Sequence, residues 1–232
     1  PAIYPELLEL VREHTSTILT SATLSVGGKE LAYFRNRVGA TDCNAVQIGS
    51  PFDYMRQMRL HVVKGMPEPK DTAYEAALEK WIAYFVDQSR ARAFVLFTSY
   101  QTMRIAAQAL ETRFLAKGWN LLVQGNGMPA LRMLREFRNE PRAILFGVDS
   151  FWSGVDVPGE ALSSVIITRL PFVTPDHPLT EARLERIEME GGRPFEQYSL
   201  PEAILKLRQG VGRLIRTKAD TGTIVILDSR IL

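Results

Sequence analysis

From Ala93 onward, short apolar runs alternate with longer stretches of helical period, and this alternation limits the possible folds more than any other feature. Residues 93–97, 120–123, 143–148, 163–168 and 223–227 read as strands. After the first of them Thr98-Ser99 stands where a helix is capped, and Met103, Ala106, Ala107, Leu110 and Phe114 recur on one helical face until Gly118. A shorter helix over 131–138 turns Leu134 and Phe137 inward, and residues 125–129, GNGMP, form the loop before it. Strands that are apolar throughout must be covered on both faces, so the pattern predicts βαβ crossovers and a mostly parallel α/β sheet. Such sheets bind ligands at the carboxyl ends of their strands. The residues just after each strand are therefore the candidates for function.

The earlier part of the chain is less regular. Tyr74, Ala77, Leu78, Trp81, Ile82 and Phe85 fall at i, i+3, i+4, i+7, i+8 and i+11, with Asp71 or Thr72 as N-cap and Glu75 as a capping-box partner. The aromatics of this helix read as core. Residues 58–63 alternate as a strand, whereas 40–56 are irregular and end in the turn-rich Gly49-Ser50-Pro51-Phe52. Leu7, Leu8 and Val11 lie at helical spacing near the start, in what reads as the end of a longer protein's helix. Ile18-Leu19 then leads into Thr20-Ser21-Ala22-Thr23, small hydroxyl residues that a strand would leave at its terminus. Gly27-Gly28 precedes a short helix over 29–37, closed near Gly39.

Composition removes several classes of function. The 232 residues, 46% hydrophobic and 23% charged, are ordinary for a soluble globular protein. A net charge of +2 excludes a strongly basic coat and leaves room only for a local basic groove. The single cysteine, Cys43, excludes an intrachain disulfide and a thiolate cluster built from this chain alone. His14, His61 and His177 lack metal-ligand spacing, so no metal site is expected. No apolar run approaches the length of about 18 residues that a membrane span needs, and no signal peptide is visible. The expectation is an intracellular protein with no membrane partner.

Four stretches carry candidate chemistry. Thr98-Ser99 places hydroxyls at a helix N-terminus, a place that binds anions readily. DSFWSGVDVPG, residues 149–159, sets Ser153 and Gly154 ahead of Asp156. RLPF, residues 169–172, follows a strand directly. QGVGRLIRT, residues 209–217, is the fourth. If the run from Pro201 is helical throughout, Gln209, Gly212, Arg213 and Arg216 form one stripe, with Ile204, Leu207, Val211, Leu214 and Ile215 opposite. Paired guanidinium groups grip oxygens that share negative charge, and close approach of another backbone or a ligand would explain two glycines in a helix; a solvated arginine face is the alternative. A G-x-x-x-x-G-K-[ST] phosphate loop is missing, as is a run of acidic residues after a strand that would hold magnesium.

Taken in order, TSAT at 20–23, the strand with Thr98-Ser99, DSFWSGVDVPG, RLPF and QGVGRLIR resemble the C-terminal motor half of the DinG/XPD family of superfamily-two DNA helicases. The resemblance implies a RecA-like three-layer fold with helices on both faces of a mostly parallel sheet. It divides the chain into residues 1–40, the tail of a preceding motor domain and linker, and 41–232, the second RecA-like domain. It implies that ATP and magnesium are held mainly by the first domain, which is absent here, and that an iron–sulfur cluster, which many members carry, would lie in that domain and not in this chain. Arg213 and Arg216 then resemble arginine fingers, with Gln209 beside them. Gly154, Asp156 and Gly212 match the parts that couple nucleotide state to DNA grip. Thr98, Ser99, Arg169 and Phe172 match contacts to single-stranded DNA, and Thr20, Ser21 and Thr23 match the motif joining the two motor domains. The implied partners are single-stranded DNA and the first motor domain, in the cytoplasm of a bacterium or otherwise inside a cell. Two alternatives remain open: a RecA-like nucleic-acid-binding module without catalysis, and an unrelated α/β enzyme with a closed pocket of titratable residues.

Overall fold

The computed structural model describes residues 16–27, 31–152 and 162–232. Gly154 and Asp156 lie outside them. The chain divides into two compact units. The larger, Pro51–Pro171 with Gln209–Leu232, contains the sheet.

Its six strands are β1 (Met58–Val62), β2 (Ala93–Leu96), β3 (Asn120–Val123), β4 (Ala143–Gly147), β5 (Ser164–Ile167) and β6 (Gly222–Ile226). Their spatial order is β1-β6-β5-β2-β4-β3 and every pairing is parallel, as continuously apolar strands require. Alternate residues serve opposite layers. Val95, Phe146, Ile166 and Val225 join one core with α3 (Tyr74–Gln88) and α4 (Tyr100–Ala116), through Leu78, Ile82, Met103 and Phe114. On the other face Phe94 meets Phe137 of α5 (Ala130–Asn139) edge to face, centroids 4.6 Å apart. The expected three-layer RecA-like arrangement is therefore present. Each fully buried Phe or Leu in these layers contributes about 1.5–3 kcal/mol relative to exposure.

Ser99 caps α4, its hydroxyl oxygen accepting from the Thr102 amide at 3.4 Å. At α3 the expected capping box does not form. The chain instead turns before the helix: Asp71 accepts from the Ala73 amide at 2.9 Å, Tyr74 N–H donates to the Asp71 carbonyl, and Ala73 is the cap residue without a side-chain bond. A four-residue helix, α2 (Tyr54–Gln57), precedes β1. Gln57 donates from Nε2 to the carbonyls of Thr217 and Asp220, at 2.9 and 2.8 Å, and so ties the entry of β1 to the approach of β6.

The smaller unit combines the described part of the chain up to Ser50 with Phe172–Arg208. Helix α1 (Ala32–Val38) ends on Gly39, whose φ of 78° is the left-handed conformation a C-terminal glycine supplies. Tyr33 donates to Glu202, Arg37 pairs with Glu202 at 3.5 Å, and the Arg37 guanidinium lies 5.0 Å from the Tyr198 ring centre. Burial, then the hydrogen bond and negative charge of Glu202, raise the Tyr33 phenol far above its ordinary range. This cluster fixes α1 to α7 (Leu200–Val211). Helix α6 (Pro178–Met189) and the π-helical turn Phe195–Ser199 precede α7 and were not expected from the sequence. No strand forms at Ile18-Leu19. These side chains are 85% and 44% exposed, and no neighbouring strand lies beside them among the described residues.

Candidate functional site

Because all the strands run one way, their carboxyl ends share one edge of the sheet. A cleft of about 410 Å³ opens there, between the ends of β2 and β5 and the start of α3. Thr98, Ser99, Thr102 and Arg169 line one part of it; Asp71 and Glu75 line another. Thr98 and Ser99 are half-buried, and Arg169 is exposed. Ser99 accepts from α4 and still has its own hydroxyl proton to donate. The arrangement offers an anion one guanidinium, hydroxyl donors and a helix N-terminus.

The backbone on both sides of Arg169 is fixed. Thr168 is bonded through its amide and its hydroxyl to the Leu96 carbonyl, each at 3.0 Å, and its own carbonyl accepts from the Tyr74 hydroxyl at 3.3 Å. The carbonyl can only accept, so the Tyr74 hydroxyl donates, and burial raises its phenol above the ordinary value. Leu170 donates its amide to the Asp228 carboxylate at 2.9 Å. Asp228 also accepts from the Arg230 amide at 3.1 Å and from the Arg230 guanidinium at 2.9 and 2.5 Å. Burial would raise the Asp228 pKa, but these bonds and the Arg230 charge outweigh it and hold the carboxyl below the usual range.

A second polar cluster joins the ends of β3 and β4. Gln124 accepts from the Val148 amide at 2.7 Å and donates to the Tyr100 hydroxyl and the Ser150 hydroxyl at 2.9 and 3.0 Å. Beyond Ser150 the Trp152 indole is fully buried and donates to the Phe97 carbonyl at 2.7 Å. Tyr74, Gln124 and Asp228 were missed in the sequence. Their signal, a polar residue at the boundary of an apolar run, was present at Gln124 and Asp228.

The QGVGRLIRT stretch departs from the expected stripe. Helix α7 ends at Val211, and the Leu214 amide closes a turn onto the Val211 carbonyl at 3.1 Å. Gln209 and Arg213 therefore do not share a helical face with Arg216. Two physical causes act together. Gly210 and Gly212 weaken the helix, and Leu214 and Ile215, 2% and 3% exposed, are drawn into the core. Leu214 packs so tightly on Gly222 that an added Cβ there would lie 2.6 Å from it. Gly210 has a packing reason as well: its Cβ would lie 3.1 Å from the Trp152 ring and 3.2 Å from Leu96. Arg213 is 3% exposed, whereas Arg216 is exposed and Gln209 is half-buried. The Arg216 and Thr217 amides both donate to Asp220, at 2.8 and 2.7 Å, which fixes the backbone at Arg216.

Phe172 and the TSAT residues belong to the smaller unit. Phe172 is half-buried against Phe195, ring centroids 5.7 Å apart. Thr20 and Ser21 are exposed and Thr23 half-buried, with the Thr23 amide donating to the Ser21 hydroxyl oxygen at 3.2 Å. Among the described residues no group of His, Cys, Asp or Glu side chains is placed to hold a metal ion, and no helix is long and apolar enough to cross a membrane.

A parallel six-stranded sheet between helical layers, with its polar groups gathered at the strand ends, defines a RecA-like α/β domain. The chain belongs to the helicase C-terminal domain family, whose model matches residues 82–232. It is 40% identical over 223 residues to the 3'-5' exonuclease DinG of Bacillus subtilis, covering 93% of this chain and 24% of that protein. It is 39% identical over 217 residues to the ATP-dependent DNA helicase YoaA of Escherichia coli, covering 94% of this chain and 33% of that protein. A solved XPD helicase has the same fold, with a TM-score of 0.62 at 16% identity over 86% of this chain and 37% of that one. The chain thus spans about a quarter to a third of the length of these curated relatives.

Proposed function

We propose that this chain is the second motor domain of an ATP-driven DNA helicase, with residues 1–40 the tail of the first motor domain and a linker. The observation that carries the reading is the strand-end cleft, where Thr98, Ser99 and Arg169 meet in a chain of helicase C-terminal type. Those three residues hold the backbone of single-stranded DNA, and Phe172 stacks on a base. Arg216 and Arg213 act as arginine fingers on ATP bound by the first domain, with Gln209 beside them. Gly154, Asp156 and Gly212 couple nucleotide state to DNA grip, and Thr20, Ser21 and Thr23 join the two motor domains.

The chain's own chemistry is electrostatic. In phosphoryl transfer the protein positions groups and stabilises charge spread over the transferring oxygens, and guanidinium groups suit that task. The residues present fit the anionic side of such a site. They do not fit magnesium: the sequence lacks a phosphate loop, and the described residues include no carboxylate cluster. ATP and the metal are accordingly assigned to the first domain.

Two measurements on the chain alone test this division of labour. It is expected to hydrolyse no ATP, with or without DNA; DNA-stimulated turnover would refute the assignment. Titration with single-stranded DNA at two salt concentrations should show weak binding that falls as salt rises, by about 0.7 in log affinity per log salt for each phosphate contacted. Binding that is absent or indifferent to salt would remove the DNA path from this domain.

A further inference from the structure

Arg169 is the exposed residue of a buried run. Ile167, Thr168 and Leu170 on either side of it are all buried, at 0%, 2% and 8% exposure. An arginine on a mobile loop must have its backbone ordered as well as its side chain when it grips a phosphate, and that added loss weakens the contact. Here the backbone is fixed before any ligand arrives. Thr168 is held by three hydrogen bonds, two to the Leu96 carbonyl and one from Tyr74 at the start of α3, while Leu170 is held by the carboxylate that follows β6.

Asp228 has a second task in this arrangement. A buried carboxylate needs compensation for leaving water, and Arg230 provides it from two residues away with bonds from its amide and guanidinium. That leaves the Leu170 amide as the contact through which Asp228 acts outside its own turn. Asp228 lies 58 residues along the chain from Leu170, and Tyr74 lies 94 residues from Thr168. Two remote elements thus converge on the residues that flank one guanidinium.

We infer that Asp228 and Tyr74 are positioning residues for Arg169: they hold the backbone after β5 so that the guanidinium stands pre-set at the cleft for a phosphate of single-stranded DNA. The inference rests on the reading that Arg169 contacts DNA. It predicts that losing either hydrogen bond loosens the grip on phosphate, although neither Asp228 nor Tyr74 need touch DNA.

The test is a set of variants of the full-length protein, titrated with a fluorescein-labelled oligothymidylate over a range of salt. Arg169→Ala should weaken binding about fivefold, the size of an exposed ion pair, and should reduce the salt slope by about 0.7, one phosphate contact. Asp228→Ala should reproduce most of both changes and add nothing when combined with Arg169→Ala. Asp228→Asn, which keeps an oxygen to accept from Leu170, should recover part of the affinity and slope. A general loss of stability would not alter the number of phosphates contacted, so the slope separates positioning from structure. Wild-type slope in Asp228→Ala, or an equal loss in the Arg169→Ala background, would overturn the inference. If Asp228→Ala does not fold, Tyr74→Phe deletes only a hydroxyl and takes its place in the same cycle, and wild-type binding by it overturns the inference. Wild-type binding by Arg169→Ala itself would instead overturn the DNA reading beneath it.

Discussion

Alanine in place of Arg216 in the full-length protein is expected to lower ATP turnover by about 10³-fold or more, the range in which arginine fingers act, with the melting temperature unchanged. Arg216 is exposed, and its backbone is fixed by Asp220 through the amides of Arg216 and Thr217. Its removal therefore leaves no buried space. Arg213→Ala is expected to abolish turnover as well, but Arg213 is 3% exposed, so this variant should also melt earlier. In both, binding of single-stranded DNA without nucleotide should stay within about twofold of wild type, because a phosphate contact on DNA is not lost. Steady-state hydrolysis with saturating DNA, beside a thermal melt, decides the matter. Near-normal turnover in Arg216→Ala would sink its role as a finger.

The largest effect on stability is expected at Trp152. Its ring is fully buried, packs on Gly210, and donates to the Phe97 carbonyl. Trp152→Ala should cost about 3–5 kcal/mol from the cavity, with a further penalty for the unpaired carbonyl. For a domain of this size that corresponds to a fall of roughly 6–20 °C in melting temperature. Trp152→Phe keeps an aromatic ring and should fall between the two. A calorimetric midpoint for Trp152→Ala within a degree or two of wild type would show that the indole does not tie β2, Gly210 and the segment after β4 together.

The strands and the helices packed on them were legible in the sequence because burial on both faces leaves a continuous apolar run. Phe94 and Val95, one facing each layer, show why. Helix α6 was not legible. Thr180 is its one buried residue among those described, and its surface carries pairs such as Arg186 and Glu190, 2.8 Å apart. Its inward face, Thr180, Arg183, Leu184 and Ile187, mixes polar with apolar side chains, so the helical period is weak in the sequence. The end of α7 was misjudged for a different reason: local spacing favoured continuation to Arg216, but the burial of Leu214 and Ile215 is a tertiary demand. At the site, Thr98, Ser99 and Arg169 were legible from their places after strands. Tyr74 and Asp228 were not, because their roles come from partners far along the chain.

The strand order also governs the sequence of events in folding. Among the described residues strand β1 pairs with β6 alone, and β6 follows the other five strands in sequence. During synthesis β1 leaves the ribosome long before β6, its partner in this sheet, whereas β2 and β3 emerge shortly before β4, which pairs with both. Residues 58–62 thus wait as an unpaired edge, and such edges invite association between chains. The chain limits that hazard with the side chains it places there: Arg59 and His61 are exposed beside Leu60. Completion of the sheet is a late, long-range closure, and the residues that complete it, 222–228, end at the carboxylate that fixes Leu170. The tie at Leu170, one of those that flank Arg169, therefore forms only once β6 has joined the sheet.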